Sequence, residues 1–265
     1  MIRLLLAPAL CLVALFAACS SAPKSSSPQQ PEPPPPVTPQ VVSPRDRAQI
    51  HTDLAEGYYE RGRMDIALEE LNEAVGLDPS NAKTYNVFGL VYATMGDNRQ
   101  AEQSFQRALA LAPQDSDFRH NWGWFLCSTD RARESIAEFE QAARNPLYRT
   151  PENALINAGK CSASFGDTAA AQNFYRRALA ASPNNPTAAY GLAFIAYKES
   201  RLADARGYLR PVMLQTAPPP EALYLGMCVE RKLGDRQAEL SYSSQLRNRF
   251  PESAETKAIP TGNCE

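Results

Sequence analysis

The chain has 265 residues, 44% hydrophobic and 21% charged, and its 27 basic and 29 acidic side chains leave a net charge of −2. That length supports one or two domains with a real core, and the near-neutral balance excludes the basic footprint that nucleic acid requires. Only His51 and His120 are histidines, which excludes a clustered-histidine metal site. Neither a metal nor a cofactor is expected.

In chain order, Arg3 precedes an apolar run from Leu4 to Ala18, interrupted once by Pro8. The run is short for a bilayer span but suits the core of a signal peptide. It ends Leu15-Phe16-Ala17-Ala18-Cys19, which resembles the bacterial lipobox, with Phe16 where an aliphatic residue is usual. The resemblance implies a lipoprotein signal peptide over residues 1–18 and lipidation of Cys19. Ser20 rather than Asp follows, and this implies sorting to the outer membrane, with the protein anchored in the inner leaflet and facing the periplasm. The alternative is an ordinary secretory signal with an incidental cysteine. Cys11 follows Leu10, which cannot serve as a cleavage residue, so it is read as a hydrophobe of the run.

Residues 19–44 are read as a tether. Between Ser20 and Pro44 the chain is dominated by proline and serine and holds no aromatic residue, so it cannot bury a core. Pro33 to Pro36 favour polyproline II, and at about 3.1 Å per residue the tether reaches ~75 Å. A Pro-rich ligand for another protein is the other reading of this stretch.

Beyond residue 45 small residues recur at a spacing of 34: Ala67, Ala101 and, two residues late, Ala171; Ala74, Ala108 and Ala178; Pro79, Pro113 and Pro183. Turn positions repeat as Gly62, Gly96, Asp130, Gly166 and Ser200, and Leu71, Phe105, Phe139, Tyr175 and Leu209 share one place in the second helix of each unit. This pattern resembles the tetratricopeptide repeat, in which two helices, A and B, cross closely only where a side chain is small. The fold expected is all-α, a right-handed superhelical solenoid of about six helix pairs. The units run near 48–81, 82–115, 116–149, 152–185, 186–218 and 219–252, followed by a tail over 253–265. The sixth is the loosest, read from Gly226, Gly234, Ala238 and Tyr242.

Four cysteines fall in this body. Cys127 and Cys161 lie on the A helices of units three and four, which line the same side, so a disulfide between them is geometrically reasonable in an exported protein. In the chain-entropy picture such a bridge contributes on the order of 3–4 kcal/mol. Cys228 and Cys264 could pair similarly and tie down the tail. The alternative is four buried free thiols.

No Gly-rich phosphate loop, HExxH or GxSxG motif is present, and His120 has no nucleophile partner in the sequence, so neither an enzyme nor a small-molecule substrate is expected. Solenoids of this class bind along the concave surface made by their A helices. The positions pointing away from helix B are Tyr59, Asn86, Leu90, His120, Trp124, Lys160, Tyr190, Phe194, Tyr197 and Met227. Aromatic and aliphatic groups dominate, which suits a polypeptide held by a few large anchors. The other reading is that many of these residues pack between adjacent A helices.

The stretch Ala48 to Tyr59, with Gly62 and Ala67-Leu68-Glu69-Glu70-Leu71, and the stretch Asn121-Trp122-Gly123-Trp124-Phe125-Leu126-Cys127 resemble the type IV pilus biogenesis and stability lipoproteins of the PilF/PilW family. Trp122 stands where the family usually has Tyr. The resemblance covers nearly all of residues 1–252. It implies a pilotin that binds the secretin subunit of the pilus machine and promotes its localisation and multimerisation in the outer membrane. The alternative function is a repeat scaffold lipoprotein that recruits cell-wall or barrel-assembly proteins.

Overall fold

The structure is a computed structural model and describes residues 42–262 and Cys264; the leader, Cys19 and the tether through residue 41 lie outside the described residues. Among the described residues all regular structure is helical. The pairs are α1 (Pro44–Glu60) with α2 (Met64–Leu77), α3 (Ala82–Met95) with α4 (Asn98–Leu111), and α5 (Ser116–Ser128) with α6 (Ala132–Arg144). They continue as α7 (Pro151–Ser164) with α8 (Thr168–Ala181), α9 (Pro186–Lys198) with α10 (Leu202–Met213), and α11 (Pro220–Leu233) with α12 (Arg236–Arg249). A short α13 (Ala254–Ala258) and a 3-10 turn over Ile259–Thr261 close the chain. Each A helix packs on its own B helix and touches the next A helix, so the six pairs form one superhelical stack.

The residue pattern dictates the helix boundaries. Asn81, Asp97, Asp115, Asp167, Asn185 and Asp235 each cap a helix by accepting backbone N–H groups of the first turn, the usual role of short polar side chains there. The A-to-B turns need a left-handed residue: Gly62, Gly96, Gly166 and Gly234 supply it, while Asp130 and Ser200 adopt φ of 60° and 59° in the same place. One boundary differs from the sequence reading. α1 starts at Pro44, inside the stretch assigned to the tether, because Ser43 accepts the Asp46 N–H at 3.1 Å and Pro44 occupies the first helical position, where a missing N–H costs nothing.

What sets the helix spacing is a contact between glycine and an aromatic ring. A Cβ at Gly89 would stand 2.6 Å from the Phe105 ring, and one at Gly123 would stand 2.9 Å from Phe139. Tyr175 lies between two such glycines, 2.7 Å from a Cβ at Gly159 and 2.5 Å from one at Gly191, and burial pushes its phenol up to about 12. Around these contacts Ala67, Ala101, Ala171, Ala74, Ala108 and Ala178 are fully buried, the small partners that let helices meet at short range.

The sixth pair departs from the expected register. Tyr242 still covers Gly226, but α12 buries Glu239, Ser243 and Leu246, and Ala238 is only half-buried. The buried Glu239 carboxylate accepts from Arg231 Nε at 2.9 Å and Arg236 Nη1 at 2.7 Å. A charge can sit at this position because it is paired there, and because, among the described residues, no further helix pair packs against α12.

Gly89→Ala should lower stability by about 1–3 kcal/mol, the usual cost of overpacking. Ser200→Gly should raise it by up to about 1 kcal/mol by relieving a left-handed non-glycine residue. Urea unfolding followed by circular dichroism measures both shifts, which should have opposite signs.

Candidate binding groove

The concave face is built from α1, α3, α5, α7, α9 and α11, each laid against the next. At its amino-terminal end Thr94 Oγ1 donates to Tyr59 Oη at 3.4 Å, and Lys83 Nζ reaches Asp53 at 2.8 Å and Glu56 at 2.7 Å across the α1–α3 seam. Leu90 is half-buried against the cluster of Phe105, Trp122 and Phe125.

In the centre lies His120. Asn157 Nδ2 donates to its Nε2 at 3.0 Å, which leaves Nδ1–H to donate to the Tyr148 hydroxyl at 3.2 Å. The Phe139 ring packs edge-on at 5.6 Å. Both ring nitrogens are occupied in the neutral form, and burial pulls the imidazole below its ordinary value. His120 is thus a polar hub joining α5 to α7 and to the loop at 145–150. Its nitrogens are not presented to a bound chain.

Beside this hub the Trp124 indole is 37% exposed, Lys160 is exposed, and Phe194 is 45% exposed and stacks on Tyr190 with ring centroids 6.4 Å apart. These side chains offer surface to a partner. Cys127 and Cys161 are joined, with Cα atoms 6.0 Å apart, so a covalent link spans α5 and α7 within the groove wall. Cys228 and Cys264 are likewise joined, tying the chain end onto α11 with Cα atoms 5.6 Å apart.

Of the predicted groove residues, Asn86 and Met227 are buried away from the groove, and Tyr197 is largely buried, leaving only part of its ring on the wall of a pocket at the carboxy-terminal end. Asn86 is buried and accepts from Asn121 Nδ2 at 3.1 Å, so its amide stitches α3 to α5. Tyr197 is buried because its hydroxyl donates to the Cys264 carbonyl at 2.5 Å and Lys232 Nζ sits 4.3 Å over its ring. Met227 is 1% exposed in the core cluster that also takes in Ile259 and Cys264. For Tyr197 and Met227 the cause is the same: the chain end folds back over positions that stay open in the middle units.

Tetratricopeptide-repeat patterns match residues 46–114, 86–154, 120–186 and 163–225. The crystal structure of PilW, a widely conserved type IV pilus biogenesis factor, superposes with a TM-score of 0.70 at 32% identity, covering 80% of this chain and 98% of that one. The chain belongs to the PilF/PilW family of tetratricopeptide-repeat proteins. Pseudomonas aeruginosa PilF matches in structure with a TM-score of 0.74 at 25% identity, over 83% of this chain and 99% of that chain. In sequence, the type IV pilus assembly protein PilF of that organism is 27% identical over 212 residues, 80% of this chain and 84% of its own. This PilF/PilW relative therefore shares the repeat array of both proteins from end to end.

The sequence reading missed members of the site that lie off the A helices, as Tyr148 and Glu255 do, or at other positions on them, as Glu221 and Tyr224 do. Tyr148 lies in the α6–α7 connection, whose two extra residues broke the repeat period and gave the only hint of it. Glu221, Tyr224 and Glu255 line the groove beside Tyr190 but fall off the positions read as groove-facing.

The depressed His120 value fixes a pH dependence for this PilF/PilW-family protein. Between the folded value and the ordinary one near 6.5 the unfolded chain binds more protons, so stability is lost as pH falls through that interval and is complete above it. His120→Gln should flatten the difference in unfolding free energy between pH 7.5 and pH 5. The native slope from this residue cannot exceed about 1.4 kcal/mol per pH unit. Urea titrations of both proteins at the two pH values check it.

Proposed function

We propose that this protein is a lipid-anchored outer-membrane component of type IV pilus biogenesis: a pilotin whose groove binds the secretin subunit and promotes its localisation and multimerisation. The observation that carries this reading is the correspondence with PilW over 98% of that protein's length, at 32% identity. The whole solenoid is matched, not one generic helix pair. The lipobox ending at Cys19 supplies the anchor, and the Pro/Ser stretch behind it supplies reach from the membrane to the assembling secretin.

The groove suits the task physically. Its backbone is held by repeat packing, the Cys127–Cys161 bond and the His120 hub, so little of it has to be ordered when a chain binds. Trp124 and Phe194 present exposed aromatic surface, and aromatic anchors of this kind dominate the energetics of peptide recognition. Assembly of a subunit requires holding and releasing a polypeptide, and no bond in that polypeptide needs to change, so the protein acts as a binder and not as an enzyme.

A strain lacking the gene should lose secretin multimers from its outer-membrane fraction, and the wild-type chain should restore them. Cys19→Ser should restore them poorly and leave the protein unlabelled by radioactive palmitate. Normal outer-membrane multimers in the deletion strain would refute the pilotin reading, and a palmitate-labelled Cys19→Ser protein would refute the assigned anchor.

A further inference from the structure

At the carboxy-terminal end of the groove α9 and α11 enclose a pocket of about 180 Å³. Tyr190, Phe194, Tyr197 and Tyr224 provide aromatic walls, Glu221 and Glu255 add two carboxylates, and the Cys228–Cys264 bond lies against it. Neither carboxylate forms an ion pair among the described residues. Burial, and then the negative charge of Glu221 and Glu255, raises the Tyr190 phenol above its ordinary value, so both acidic groups act on the same ring.

We propose that this pocket receives a positively charged side chain, arginine or lysine, from a peptide lying along the concave face. Aromatic faces carry negative potential and attract cations, more strongly once water is removed. Two carboxylates with no ion pair among the described residues, set beside those faces, strengthen the preference and repel an anionic occupant. An apolar occupant would strip water from the carboxylates without compensating them. The volume admits the head of one side chain and excludes a folded ligand. The protein already places a cation on one of these rings, since Lys232 Nζ stands 4.3 Å over Tyr197. Tyr190, Phe194 and Tyr224 form the rest of the wall, beside the two acids.

This specificity is independent of which protein supplies the peptide, and it would stand even if secretin assembly proved indifferent to the chain. The test titrates the full-length protein in detergent with acetyl-Leu-Arg-Leu-amide and with the citrulline analogue, which keeps the shape and loses the charge. Isothermal calorimetry should show the arginine peptide binding about tenfold more tightly. The Glu221→Gln/Glu255→Gln double variant should reduce that ratio to near one while its melting temperature stays within a few degrees, and Phe194→Ala should weaken the arginine peptide alone. Equal affinities for the two peptides, binding of neither, or a ratio unchanged in the double variant would overturn the proposal.

Discussion

The fold rests on one steric constraint: at one place in the A helices of units two, three and four there is no room for a Cβ, because an aromatic ring of the paired B helix occupies it. Gly89 under Phe105, Gly123 under Phe139 and Gly159 under Tyr175 are versions of the same contact, and Gly191, two places earlier in its own unit, presses the other side of Tyr175 from the next A helix. A ring pressed on backbone buries apolar area on both helices at once and fixes their separation. The alanines at Ala101, Ala108, Ala171 and Ala178 fit because that separation has already been set. Repeating the contact along the chain forces the A helices into one row, and that row is the concave face. The binding surface is therefore a consequence of core packing, with no loop devoted to building it.

Within that face the polar groups mainly join neighbouring A helices. Asn86 with Asn121, His120 with Asn157, and Lys83 with Asp53 and Glu56 all cross from one A helix to the next. Each satisfies a partly desolvated group, as low-exposure polar atoms require. The side chains left over for a partner are chiefly apolar or aromatic. This division of labour explains why a groove-facing position can be occupied by a purely structural residue, and why helical spacing alone overcounts binding residues.

The repeat period made the helix pairs, the turn residues and the small core positions legible, because each is tied to local geometry that recurs every 34 residues. Asp130 and Ser200, for example, take the left-handed turn position that glycine fills elsewhere. What the period could not carry was anything that happens once. The return of the chain end over Tyr197 and Met227 has no counterpart in earlier units, so those residues read as exposed by analogy with Trp124 and Phe194. The slip that buries Glu239 in place of Ala238 occurs where, among the described residues, no further helix pair follows α12, and there polar groups replace a neighbouring repeat. The start of α1 at Pro44 was hidden for another reason: a Ser-Pro pair serves equally as the end of a Pro-rich tether and as a helix cap.

The break in the period between units three and four ties these threads together. Two extra residues enter the α6–α7 connection, where a repeat stack should be weakest, because the next unit can no longer follow by simple repetition. At that same junction the chain concentrates its compensations. The Cys127–Cys161 bond crosses from α5 to α7, and the inserted loop sends Tyr148 to His120 while Asn157 holds the other nitrogen. A loop closed by a covalent bond of this span is worth on the order of 3–4 kcal/mol against the unfolded chain. A neutral buried imidazole with both nitrogens satisfied adds a contact that only one arrangement of the two helices allows. The irregular junction is thus held in a single geometry, and it lies beside Trp124, in the middle of the groove. Loss of alignment there would separate the anchors of the first three units from those of the last three, so a groove that grips one continuous chain needs its firmest cross-links at the place where its repeat is least regular.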